Sequence, residues 1–238
     1  MSETKSIVVL SGGQDSATCF FKALKETEVV GAIFYRYGQQ HELPEFQCVY
    51  GLTERYSVPL QLVDVPELGI LSQSALLQED GDVNQPHSWN PLLPASFVPG
   101  RNLLFLTLAA IYAMKEGATQ IWTGVCQTDY SGYPDCRQST IVALENALRL
   151  GLDFRGLEIV TPLMYLTKAE TFKMAAELKC LAWIINETHT GYTGDRSHLY
   201  EWGWGPPEGT ELDPASALRA KGWNEFKSNY PQLAGVEE

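Results

Sequence analysis

The chain has 238 residues, with 29 acidic side chains against 17 lysines and arginines and a formal net charge of −12. Nucleic-acid binders usually carry a basic footprint, so this balance argues against one. Hydrophobic residues at 45 % and charged residues at 19 % argue against disorder. A chain of this length can bury one substantial core, and a small soluble enzyme is the leading class. The five cysteines are scattered and show no CxxC spacing. That suits reduced thiols in a cytoplasmic protein better than a disulfide framework. The N-terminus lacks a signal-peptide layout. The longest apolar-rich stretch, residues 103–114, is shorter than the roughly 20 residues a membrane span needs.

Residues 6–10 are a β-branched and leucine run that ends in Ser11-Gly12-Gly13, which predicts a buried strand and a glycine turn. Asp15 and Ser16 are helix-starting types, and residues 17–24 have helical spacing. Strands are predicted over 29–35 and 59–65, with a helix over 44–56 between them. From 71 to 96 the pattern dissolves into Gln, Asp, Gly, Asn and Pro, as in a functional or mobile loop. Helices follow over 102–115, 139–150 and 168–178, and strands over 120–124 and 157–160. Alternating strands and helices predict a parallel α/β sheet. Residues 187–238 carry nine acidic against four basic side chains and are rich in glycine and aromatics, as in a tail or lid.

Ser11-Gly12-Gly13-Gln14-Asp15-Ser16 lies between the first strand and the first helix, where phosphate chemistry requires it. Glycines let backbone N–H groups approach phosphate oxygens, and the helix N-terminus adds a positive dipole end. Ser11 and Ser16 can donate hydroxyl hydrogen bonds, and Asp15 can hold Mg²⁺ on the phosphates. Neither a GxxxxGK[ST] loop nor a GxGxxG turn after a strand occurs. A plain strand-to-helix turn is the alternative for the glycines alone.

SGGQDS resembles the pyrophosphatase (PP) loop of enzymes that release pyrophosphate from ATP and leave an AMP-activated intermediate. Further blocks look like the QueC family: Tyr37-Gly38-Gln39 with His41, the FVPGRN run ending at Asn102, and GVCQTDYSGYPDCR from Gly124 to Arg137. TPLM from Thr161, KAET from Lys168 and LRAKG from Leu218 continue the resemblance, which spans about residues 6–226.

The resemblance implies an adenine-nucleotide alpha-hydrolase-like α/β fold, a parallel sheet of about five strands flanked by helices. Residues 1–186 would form the PP-loop domain and 187–238 a C-terminal tail or lid. It implies ATP-dependent activation of the carboxylate of 7-carboxy-7-deazaguanine, then attack by ammonia to give an amide and finally a nitrile. ATP would lie on Ser11, Gly12, Gly13, Gln14, Asp15, Ser16 and Tyr37. Lys168 would reach the α-phosphate, and Arg101 would pair with phosphate or carboxylate. Asp129, Tyr133, Asp135 and Arg137 would hold the base or its carboxylate. His41 and His189 are candidate acid–base groups, each with a structural role as its alternative. A homodimer is implied, without nucleic acid or membrane as partner.

Family members normally carry four zinc-binding cysteines near the C-terminus. Here Glu187-Thr-His-Thr190 is followed by Gly191, Asp213-Pro-Ala-Ser216 stands where a CxxC is expected, and Pro206 or Thr210 takes the earlier position. No zinc is therefore expected. Arg36 replaces a usual Asp expected near the nucleotide, and Gln127 a common Glu. These departures suggest a second possibility: a paralogue that joins the activated base to a protein amine in antiviral defence. A tRNA-thiolating PP-loop enzyme is weakened by the acidic balance. A nucleotide-binding module without catalysis is opposed by the intact loop and Lys168.

Overall fold

A computed structural model describes residues 4–72, 74–77, 81–83, 85–88, 90–127 and 133–235. The first strand, β1 (Lys5–Val9), is followed by α1 (Gln14–Glu26), β2 (Glu28–Arg36), α2 (Glu42–Tyr56) and β3 (Leu60–Asp64). α3 (Pro66–Leu71) leads to a hairpin of β4 (Pro86–His87) and β5 (Asn90–Pro94), then α4 (Arg101–Glu116) and β6 (Gln120–Thr123). α5 (Gln138–Gly151), β7 (Glu158–Val160), α6 (Lys168–Glu177) and α7 (Leu181–Glu187) follow. A second hairpin, β8 (His198–Tyr200) with β9 (Gly203–Gly205), precedes α8 (Pro214–Asn229) and α9 (Pro231–Ala234).

Five strands form one parallel sheet in the order β3-β2-β1-β6-β7. The central strands β1 and β2 carry β-branched runs buried on both faces, as a sheet covered by helices on each side requires, whereas edge strand β3 is only half-buried. Period-2 alternation sorts their side chains: Ile7, Ile33, Tyr35 and Ile121 face α4 and α5, and Val8, Phe34 and Trp122 face α1, α2, α6 and α8. The chain leaves β1 in one direction to build β2 and β3, then returns to the other side of β1 for β6 and β7. That reversal opens a crevice at the carboxyl ends of β1 and β6, the usual ligand position in open α/β sheets.

The expected strands and helices of residues 6–178 are present, within a few residues at their ends. One expectation needs correction. Residues 71–96 are not one structureless loop. A 3₁₀ turn at Ala75–Leu77 and the β4/β5 hairpin lie within it, with Leu76 and Leu93 buried. Ser74 Oγ and the Ala75 N–H both donate to Ala95 O, at 3.0 and 2.9 Å. Pro86, Pro91 and Pro94 interrupt the alternation that would have marked the strands. Within residues 187–235, α8 is a 16-residue helix. Its Trp223 packs edge-on against Phe172 of α6, with centroids 5.1 Å apart, and Phe226 is fully buried. Trp202, Trp223 and Phe226 share one core cluster with Val8 and Phe20. Gly222 permits this packing, since a Cβ there would lie 2.3 Å from Lys168 Cβ.

Candidate active site

At the crevice, Ser11–Ser16 closes on itself. Ser11 Oγ donates to Ser16 Oγ at 3.1 Å, and Ser16 Oγ donates to Gly13 O at 3.2 Å. Gly12 has φ +78, and a Cβ there would lie 2.5 Å from Glu45 O, so both backbone conformation and space call for glycine. The His189 N–H donates to Gly12 O at 3.0 Å, tying the loop to the segment after α7. The α1 N-cap, Gly13, makes no side-chain cap bond, so the first-turn amides stay available to a ligand. After β6, Gly124 approaches so closely that a Cβ would lie 2.8 Å from Ser16 N.

The loop forms one wall of a cavity of about 1060 Å³. Gln14 is only 2 % exposed, lines this cavity, and neither side-chain nitrogen nor oxygen has a partner. Asp15 Oδ1 is also unpartnered, whereas Oδ2 accepts from Lys168 Nζ at 2.5 Å. Lys168 opens α6, whose start is fixed independently by a capping box between Thr167 and Glu170. Buried polar groups normally find partners. A polyanion with a bound cation would satisfy the amide donor of Gln14, the loop N–H groups and the Asp15 oxygen. These residues therefore fit ATP with Mg²⁺.

The opposite wall is aromatic. Arg101 Nη1 donates to Tyr37 OH at 3.1 Å and lies over the Tyr133 ring at 6.0 Å. Tyr133 OH and Ser96 Oγ are hydrogen-bonded at 2.7 Å, and Tyr192 OH is 3.5 Å from Tyr133 OH. Tyr37 is buried, and burial raises its phenol, so it remains neutral beside the guanidinium. Pro214, Ala217, Leu218 and Lys221 complete the enclosure, so α8 supplies part of the wall.

Ser11, Gly13, Gln14, Asp15, Ser16, Tyr37, Arg101, Tyr133 and Lys168 thus line one cavity, with Gly12 supporting the loop behind it. Asp135 does not line it. Its Oδ2 accepts from the Asn102 N–H at 3.0 Å and from Asn102 Nδ2 at 3.1 Å, pinning the Tyr133 segment to the start of α4. Arg137 is exposed as the α5 N-cap, away from the cavity. Asp129 lies outside the described residues. Arg36 does not line the cavity either. It pairs with Asp64 on neighbouring β3, with Nη2 to Oδ2 at 2.8 Å. Gln127 Oε1 accepts from the Gln138 N–H at 3.0 Å at the start of α5.

His41 and His189 both line the cavity, and burial lowers each to about 4. His41 Nδ1 lies 3.1 Å from Tyr192 O and must be its donor, which leaves the Nε2 lone pair facing Glu45 Oε1 at 3.6 Å. His189 Nε2 is similarly committed to Gly191 O at 2.7 Å. Sequence patterns missed Glu45, whose signal was its position four residues after His41 on one helix face. Its carboxyl is raised to about 8, by burial above all.

These three groups set the pH dependence of stability. Between pH 4 and 6.5 the unfolded histidines bind protons that the native ones refuse, so stability rises with pH. Between 4.5 and 8 the native Glu45 holds a proton that the unfolded one releases, so its contribution falls with pH. Thermal melts are expected to peak near pH 6.5, and Glu45→Gln should flatten the decline toward pH 8. An unaltered alkaline decline in that variant would remove Glu45 as its cause.

The residues at the expected zinc positions do not fit such a site. Asp213 Oδ1 caps α8 through the Ala215 and Ser216 N–H groups, and its Oδ2 accepts from Ser216 Oγ at 2.8 Å. Gly191 offers no side-chain donor, and Ser216 only a neutral hydroxyl already bonded to Asp213, so no thiolate stands where these segments meet. Among the described residues, no group of three or more His, Cys, Asp or Glu converges to hold a metal. Nor is any helix there long and apolar enough to cross a membrane.

Comparison with known proteins agrees with these features. The family described as "Queuosine biosynthesis protein QueC" matches residues 5–227. A 7-cyano-7-deazaguanine synthase of Wolinella succinogenes is 44 % identical over 230 residues, covering 96 % of each chain. One from Gluconobacter oxydans is 40 % identical over 249 residues, covering 99 % of each. A Helicobacter pylori synthase is 39 % identical over 230 residues, covering 96 % of this chain and 99 % of its own. With that coverage, and a PP-loop closing the cavity at the sheet's switch point, the chain belongs to the QueC family.

Proposed function

We propose that this protein uses ATP to activate the carboxylate of 7-carboxy-7-deazaguanine and converts it, with ammonia, to the amide and then to 7-cyano-7-deazaguanine. The observation that carries this reading is the meeting of Lys168 with Asp15 at a PP-loop whose Gln14 side chain is buried without partners. A carboxylate is a poor electrophile, and joining it to AMP supplies a leaving group. The protein's part is alignment and charge stabilisation around the α-phosphate. The loop N–H groups, Ser11 and Ser16 would hold the phosphates, Asp15 would hold Mg²⁺, and Lys168 would balance charge as pyrophosphate departs. Mg²⁺ would supply Lewis-acid neutralisation of the phosphate oxygens. Tyr133 and Tyr37 would offer ring faces to the bases, and Arg101 a guanidinium to the substrate carboxylate.

The protein-conjugating alternative drew on the missing zinc cysteines together with Arg36 and Gln127, and the latter two have structural work outside the cavity. The nitrile-forming reading is preferred because relatives that match nearly the whole chain are 7-cyano-7-deazaguanine synthases. Mass spectrometry of products from ATP, the carboxylated base and ammonia tests it. The nitrile, with AMP and pyrophosphate, is expected. A protein adduct alone would favour the alternative, and no AMP under any condition would defeat both.

We also infer that the C-terminal segment is held without zinc, on the donor chemistry around Asp213, Ser216 and Gly191. Metal analysis of purified protein is expected to find well under one zinc per chain. A stoichiometric, tightly bound zinc would overturn this.

A further inference from the structure

We infer that Glu45 accepts the proton released when ammonia attacks the activated carboxylate. The inference rests on the adenylating function proposed above and assigns a step within it.

Glu45 stands in the first turn of α2, against the PP-loop: its backbone oxygen occupies the space that a Cβ on Gly12 would need. The side chain is 13 % exposed and lines the cavity. Oε2 accepts from Gln39 Nε2 at 3.3 Å, and Gln39 is itself fixed by donating to Tyr35 O at 3.2 Å and accepting from the Tyr37 N–H at 3.0 Å. The carboxylate is thus aimed by a buried amide. Among the described residues no lysine or arginine forms an ion pair with it. The groups around it are Glu42 and Cys48 on its own helix, His41 at the helix start, and Tyr37 and Arg101 along the cavity. His189 lies behind His41.

A proton acceptor works best when its affinity lies near the operating pH. Burial, opposed by Gln39 and Arg101, holds Glu45 at about 8. The two histidines are poorer acceptors, because burial lowers both to about 4 despite the carbonyl hydrogen bond that each ring makes.

The step balances. The ammonia nitrogen bonds to the acyl carbon, the carbon–oxygen bond to the adenylate breaks, and AMP leaves with that electron pair. The extra N–H proton passes to the Glu45 carboxylate and then to water. In the second activation the amide oxygen departs as part of AMP, and nitrogen loses its remaining protons by the same route.

The test compares two nucleophiles on purified protein. Hydroxylamine is a free base at neutral pH and attacks acyl adenylates without help in removing a proton. Glu45→Gln, which mimics the protonated carboxyl, is expected to lower ammonia-dependent kcat by about 10²-fold or more while hydroxamate formation falls less than about threefold. At fixed free ammonia, the wild-type rate should rise through pH 8, and this limb should be missing in the variant. Glu45→Asp should restore part of the ammonia rate. Equal losses with both nucleophiles, or no loss with ammonia, would overturn the assignment. So would a raised KM for the base at unchanged kcat, the mark of base-edge recognition. If wild type makes neither product nor hydroxamate, the proposed function itself fails and Glu45's role falls with it.

Discussion

Lys168→Ala is expected to lower pyrophosphate release by about 10³-fold or more while leaving the protein folded. The size follows from position. The ammonium is only 11 % exposed and is held 2.5 Å from Asp15 Oδ2, at the head of the PP-loop. In such a confined site a fixed charge acts far more strongly on developing phosphate charge than it would in water. The fold should tolerate the loss. The start of α6 is fixed by the Thr167–Glu170 capping box, and the stem packing against Gly222 begins at the Cβ that alanine keeps. Removing one charge-assisted bond costs about 1.5–3 kcal/mol, well within an ordinary stability margin. Asp15→Ala is expected to behave alike, through loss of the carboxylate proposed to hold Mg²⁺. Steady-state pyrophosphate release with a parallel thermal melt checks both. Undiminished release in either variant would remove that residue from the site.

What could be read in advance divides by range. The PP-loop was legible because its six residues are contiguous and their chemistry needs no distant partner. Lys168 was legible because a strand and a helix start place it at the same sheet end. Arg137 and Asp135 show where this stops. Two positions apart in one motif, they part at a 3₁₀ turn over Pro134–Cys136, which turns Asp135 inward to Asn102 and leaves Arg137 exposed. No spacing rule announces that. Glu45, Tyr192 and the α8 wall enter the cavity only through packing between segments far apart in sequence. The start of α8 did carry a local sign, since Asp213-Pro214 is an N-cap followed by proline at N1. The glycine- and aromatic-rich run before it masks that sign.

The same distant packing gives Arg219 a large expected effect on stability. Its side chain is fully buried, yet no carboxylate pairs with it among the described residues. Nε donates to Trp202 O at 2.7 Å, Nη1 to Thr190 Oγ1 at 2.8 Å and Nη2 to Ile184 O at 2.6 Å. One guanidinium therefore ties α7, the segment before Gly191, the β8/β9 turn and α8 together. Gly203, at φ +128, makes room for it, because a Cβ there would lie 2.5 Å from Nη2. Burial lowers the group only to about 10, so the charge persists at neutral pH. Arg219→Met keeps apolar volume but leaves Trp202 O and Thr190 Oγ1 without their donor, while Ile184 O keeps only Thr188 Oγ1, and is expected to cost about 3–5 kcal/mol. For a chain of this size that corresponds to a fall of about 10–15 °C in Tm. Arg219→Lys should recover only part of it, since one ammonium cannot reproduce a planar fork of donors. Chelators should leave the wild-type Tm unchanged if this guanidinium, rather than a metal, closes the C-terminal segment. A Tm for Arg219→Met within about 2 °C of wild type would refute the assignment. Leu218, beside Arg219, and Lys221 line the cavity, so a loosened α8 should also raise the KM for ATP before the protein melts.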